Sequence, residues 1–149
     1  RFLEIQLSNL LKKILKGDDN LIKSLVINKL SLKKIEIGMS VSYSQVIKDS
    51  DIRAFAEISG DRNPVHIDEK FANNSRYKKR IAHGLLTASY FSALFGTKIP
   101  GEGCVYVSQS LKFRRPVYLG DTVTAIVEVT NVDLKKKKTF FQNCMQSKK

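Results

Sequence analysis

Residues 83–97 read HGLLTASYFSALFGT. The stretch is apolar nearly all round, with small residues interspersed, and a helix of that kind is buried on most sides rather than laid on a surface. Gly96 and then Pro100-Gly101 mark a turn after it. Downstream, Cys104–Phe113 mixes β-branched and aromatic residues, Pro116 and Gly120-Asp121 punctuate a turn, and Val123, Ala125, Val127 and Val129 alternate with Thr122, Thr124, Glu128 and Thr130 over a long strand. The lysine run Lys135–Lys138 reads as a hairpin turn with solvated charges, and TFFQNCMQ as a closing strand. Upstream, Met39, Val41 and Tyr43 alternate with Ser40, Ser42 and Ser44, the period of a half-buried strand. Asp49-Ser50-Asp51 then starts a short helix with acids where the N-terminal dipole favours them. Its apolar face is read as Ile52, Phe55, Ala56 and Ile58, and Gly60 ends it. Phe71–Arg80 is read as a loop or short helix. The order strand, helix, long buried helix and three strands predicts an α+β fold, an antiparallel sheet around a central helix.

A chain of 149 residues, 42% hydrophobic and 27% charged, holds one domain with a real core. No apolar run approaches the ~20 residues of a membrane-spanning helix, so a soluble chain is expected. Cys104 and Cys144 cannot make a disulfide framework. His66 and His83 are too few for a protein-built zinc site unless carboxylates complete it. The net charge of +12 suits an anionic partner, whether nucleic acid, an acidic protein, an anionic membrane or a phosphate-bearing ligand. Residues 1–37 read as a basic amphipathic extension, with Leu7, Leu10, Leu11, Ile14 and Leu15 at helical spacing and Lys12, Lys13 and Lys16 on the other side. A solvated appendage and an organelle-targeting presequence are both open there, and Glu4, Asp18 and Asp19 count against the second. The folded domain is placed at 38–149.

The polar stretch Ser59-Gly60-Asp61-Arg62-Asn63-Pro64-Val65-His66-Ile67-Asp68 carries the chemistry. Asn-Pro imposes an extended or turn conformation, putting Asp61 and His66 on either side of a bend. A carboxylate and a neutral imidazole so placed can hold one water between them and exchange protons near pH 7. That suits adding or removing water across a carbon–carbon bond. An ordinary polar loop with an Asx turn at Asp61 is the alternative. At His83-Gly84 the first turn of the long helix offers free N–H groups and a positive dipole end that can polarise an acyl carbonyl. Gly84 permits close approach there.

Together, SGDRNPVHID and IAHGLLTASYFSALFG resemble the MaoC-type (R)-specific enoyl-thioester hydratases, which have the hot-dog fold. The resemblance runs from about Gly38 to about Val132 and includes GCVYVSQSLKFRRPVYLGDTV. It implies a long helix wrapped by an antiparallel sheet, and a homodimer whose sites lie near the interface. It implies Asp61 and His66 as the catalytic pair, and the Gly84 N–H as the thioester-oxygen donor stabilising enolate-like charge. By the same resemblance Ser92 and Asn63 support the site. The reaction implied interconverts (3R)-hydroxyacyl and trans-2-enoyl thioesters, with no metal or redox cofactor. GTKIPGEGCVYVSQSLKF is most similar to stand-alone mitochondrial dehydratases of fatty-acid synthesis. That implies the mitochondrial matrix in a eukaryote and the cytoplasm otherwise. Relatives of this type carry a further strand, so the last strand of the fold is expected to be absent after TFFQNCMQSKK, leaving an unpaired sheet edge.

Lys78, Lys79 and Arg80, with Lys112, Arg114 and Arg115, can meet coenzyme A phosphates or an acidic acyl carrier protein. A solvated basic face is the alternative for each. Two other functions stay open: a hot-dog acyl-thioesterase, and a basic RNA-binding module supported by charge but lacking a nucleic-acid motif or aromatic platform. The sequon at Asn73-Asn74-Ser75 is read as chance.

Overall fold

Strict alternation builds the sheet. Strand β1 (Ser40–Val46) turns its serines to solvent and keeps Val41, Tyr43 and Gln45 half-buried. In β2 (Thr122–Asp133), Val123, Ala125, Val127 and Val129 are buried, and Thr124, Ile126 and Glu128 between them lie half-buried on the outer face. Strand β3 (Lys138–Lys148) follows a hairpin turn in which Asp133 Oδ1 accepts the Lys136 N–H at 2.9 Å. The computed structural model describes residues 34–148, so the expected helices and targeting role of the first 33 residues lie outside the described part. The strands run in the order β1-β2-β3, both pairs antiparallel, with Tyr43 opposite Ala125 and Ala125 opposite Met145.

Four helices stand between β1 and β2. Helix α1 (Asp49–Ser59) begins where Asp51 accepts the Lys48 backbone N–H at 3.0 Å, and ends at Gly60, whose φ of 76° suits a residue without Cβ. Ile52 and Ala56 are buried and Phe55 half-buried, but Ile58 is 85% exposed. Six residues at ~100° each carry Ile58 well round the helix from Ile52, so it never belonged to the inner face. Helices α2 (Pro64–Ile67) and α3 (Glu69–Asn74) are short. Helix α4 (Gly84–Thr97) is the long one.

Leu86, Tyr90, Phe91, Leu94 and Phe95 of α4 form the core with Ile47, Ile52, Val123, Ala125 and Val127. Each such large side chain contributes roughly 1.5–3 kcal/mol by leaving water. One stripe of the helix stays open: Leu85, Ser89, Ser92, Ala93 and Gly96 are exposed. The helix is therefore covered by the sheet on one side and not enclosed by the described residues.

The expected strand at Cys104–Phe113 is not one. The segment is not paired into the sheet, and Val105 and Val107 are 82% and 80% exposed. Only Cys104 and Leu111 pack on the core, with Tyr106 edge-on to Phe95 at 4.8 Å. Side-chain preference for a strand is met only when a neighbouring backbone takes up the N–H and C=O groups. Among the described residues no strand lies beside this one. The sheet accordingly has three strands, consistent with a hot-dog sheet short of its full complement.

Candidate active site

Asn63 and Pro64 shape the corner. Asn63 sits at φ −53° and ψ 124°, the extended backbone a following proline demands, and its side chain accepts the Val65 N–H at 3.3 Å. Pro64 occupies the first turn of α2, where its missing N–H costs nothing. Asn-Pro therefore does not leave His66 on an extended arm but places it on a helical turn, pointing inward and buried. The loop before it folds as an Asx turn, with Asp61 Oδ1 accepting the Asn63 N–H at 3.1 Å, while the Asp61 side chain stays exposed.

His66 Nδ1 lies 2.8 Å from the main-chain oxygen of Ile81. A carbonyl only accepts, so Nδ1 carries the proton and, in the neutral ring, Nε2 is left with the basic lone pair. Burial pushes the His66 pKa below its ordinary value of 6.5; the Ile81 carbonyl pulls the other way, His83 lowers it further and Asp61 raises it. The net direction keeps the ring neutral, and so basic, at pH 7.

The N-terminal tip of α4 closes the group. His83 precedes Gly84, and its ring stacks on that of His66 with centroids 3.9 Å apart. Ligand atoms of Asp61, His66 and His83 all lie within 4.8 Å of one another. Acid, imidazole and helix tip are thus brought together, and a carboxylate does join the two histidines. Gly84 is where a side chain would collide: an added Cβ would lie 2.9 Å from the Phe113 ring. Sequence reasoning gives His83 no role beyond the helix start and a zinc site that carboxylates would have to complete; a polar ring beside Gly84 is the signal available.

Other expected residues lie elsewhere. Ser92 is exposed on the open stripe of α4, eight residues along from Gly84, and makes no side-chain hydrogen bond among the described residues. Arg80 is only 11% exposed and pairs with Asp49 at 2.7 Å and Glu69 at 3.0 Å, so its charge is spent inside the fold. Lys78, Lys79, Lys112, Arg114 and Arg115 are exposed. The antiparallel bridge Ile81–Tyr118 sends the two basic runs in opposite directions, bringing Arg114 and Arg115 towards the α4 tip and Lys78 and Lys79 away from it.

One helix lying on an antiparallel sheet, with an acid and an imidazole at its tip, defines the class: a hot-dog protein. The (R)-hydratase from A. caviae involved in PHA biosynthesis superposes with a TM-score of 0.75 at 38% identity, over 77% of this chain and 87% of that one. An (R)-specific enoyl-CoA hydratase of Rhodospirillum rubrum is 50% identical over 111 residues, 74% of this chain and 77% of that protein. A mitochondrial 3-hydroxyacyl-[acyl-carrier-protein] dehydratase of Arabidopsis thaliana is 39% identical over 94 residues, 63% of this chain and 55% of that protein. Residues 32–147 match the family described as MaoC like domain, and the chain belongs to it.

Proposed function

We propose that this protein is an (R)-specific hydratase/dehydratase that interconverts (3R)-hydroxyacyl and trans-2-enoyl thioesters, working as the dehydration step of fatty-acid synthesis. The observation that carries the reading is the tautomer of His66: with Nδ1 bonded to Ile81 O, Nε2 of the neutral ring is left as the base, in a ring that has a nitrogen within 4.8 Å of an Asp61 carboxylate oxygen. Family membership and the hydratase and dehydratase relatives support the same reaction.

In the hydration direction, Asp61 and His66 hold a water and draw off a proton as its oxygen bonds to C3. The C2–C3 π electrons move towards the thioester oxygen, and C2 then receives a proton from the same pair. Charge on that oxygen meets the free N–H groups at the α4 tip, Gly84 first among them. Dehydration runs the steps in reverse. Asn63 supports by holding α2 in place. Ser92, on the open face of the helix, is assigned a supporting role only in the paired protein.

Arg114 and Arg115, near the tip, are the cations assigned to the carrier's phosphates, with Lys78 and Lys79 further out; Arg80 is not among them. A homodimer accounts for the exposed Leu85 on the open stripe of α4 and for Val105, Val107 and Phe113 on the segment that follows it. The plant relatives named as mitochondrial favour a mitochondrial place, taken here as the matrix, with residues 1–37 as a basic extension ahead of the catalytic domain at 38–149.

The test is an enoyl-thioester hydration assay with coenzyme A and carrier-protein substrates of several chain lengths. Loss of enoyl absorbance with (3R) product is expected. Release of free thiol without hydration makes the protein a thioesterase. Neither activity, with steeply salt-dependent RNA binding, makes it a basic binding module.

A further inference from the structure

His83 has no part in the steps above, yet it is 2% exposed and touches both members of the catalytic pair. Its Nε2 lies 2.9 Å from the backbone oxygen of Asp61, 22 residues away in sequence. Its ring lies against that of His66 at 3.9 Å and 31°, and the Phe55 ring is 5.0 Å away. Since the Asp61 carbonyl only accepts, Nε2 carries the hydrogen and Nδ1 is bare in the neutral ring; that buried Nδ1 has no partner among the described residues. A buried nitrogen left unpaired costs stability, so packing alone would favour an apolar ring here. Phenylalanine would fill the space, but it could not hold the Asp61 carbonyl.

The tether matters because Asp61 sits on an exposed loop that follows the left-handed Gly60, held otherwise by contacts within the loop and with the last turn of α1. A metal site is the competing use of the same three side chains. The two rings lie face to face, with centroids 3.9 Å apart and planes tilted by 31°, whereas two imidazoles that share an ion at ~2.0 Å aim their lone pairs at one spot.

We propose that His83 is a positioning residue for this reaction: its Nε2–H holds the Asp61 main chain and its face seats the His66 ring, fixing the carboxylate and the imidazole at a working separation. The proposal rests on the hydration reading of Asp61 and His66.

Three variants take the two contacts apart. His83→Gln keeps an N–H donor for Asp61 and loses the ring; His83→Phe keeps the ring and loses the donor; His83→Ala loses both. The expected result is a fall in kcat of about 10²-fold for His83→Ala, the scale of displacing a catalytic group by an ångström, with KM changed far less. His83→Gln and His83→Phe should each fall between it and wild type. The His66 ring, followed by NMR titration, faces His83 and Asp61. It should titrate at higher pH in folded His83→Gln, where the stacked ring that helps bury His66, and lowers its pKa, is gone. That measurement needs no turnover. Should His83→Ala not fold, the Gln and Phe variants decide. Normal kcat in any variant that has lost the donor, or an unmoved His66 titration in His83→Gln, overturns the proposal. Absence of hydration by the wild-type chain overturns the reading beneath it, whichever way the titration falls.

Discussion

The corner around His66 and the segment 103–113 are built from similar amounts of chain, and they differ in where their backbone and polar groups find partners. At the corner, His66 bonds Ile81, Asn63 caps α2, His83 bonds Asp61 and Ala82 N–H reaches Val117 O at 2.8 Å. Every one of these contacts is supplied by the chain itself. Along 103–113 the residues favour a strand, but among the described residues no strand stands beside them, and the valines face water. A site can be completed by a few contacts between side chains and nearby carbonyls; a strand needs a whole second backbone.

That contrast can be attacked from its strongest side first. Asp61→Asn and His66→Ala should each lower kcat by about 10²–10⁴, the usual contribution of an acid–base group. Steady-state hydration kinetics check this, and near-normal turnover in either variant would remove the corner's claim to the chemistry. Gly84→Ala comes next. Its Cβ would lie 2.9 Å from the exposed Phe113 ring, which can swing aside, and alanine suits a helix better than glycine by about 1 kcal/mol. The thermal midpoint should hold or rise, while kcat/KM falls about tenfold because the thioester can no longer come as close to the helix tip. A variant both stable and fully active would detach the tip from the site.

A subtler effect comes from pH. His66 titrates below 6.5 in the folded chain, chiefly because it is buried, so the unfolded chain binds more protons than the folded one between the two values. Stability supplied by neutral His66 is fully present above 6.5 and is lost as pH falls from there through the depressed value. Urea titrations at stepped pH should show that loss, weakened in His66→Gln. The acid limb of kcat/KM for hydration should lie below 6.5 as well. The smallest effect belongs to the other region: Val107→Lys should change monomer stability by less than about 0.5 kcal/mol, as surface substitutions do, while reducing self-association measured by light scattering. A large loss of stability instead would mean that the segment is held more firmly than its exposure suggests.

Much of this was legible in the chain because it is local. Alternation placed β1 and β2, an all-round apolar run placed α4, and Gly60 placed the end of α1. Asp61 and His66 stand out in one stretch and Gly84 in another, and the fold brings the two stretches together. Distance along the chain hid the rest. Arg80 looked free until Asp49, 31 residues earlier, took its charge. Cys104–Phe113 carries strand preference, and nothing in its own residues reveals whether a partner backbone stands beside it. His83 read as a helix start because its two important contacts lie 17 and 22 residues upstream, at His66 and Asp61.

The proton on His66 is held in place by the oxygen of a peptide bond, not by another side chain. Ile81 could change to any residue that keeps its backbone there, and the tautomer would persist. The instruction for which nitrogen stays basic is therefore insulated from sequence drift, leaving the surrounding walls free to diverge towards new acyl chains without erasing the base.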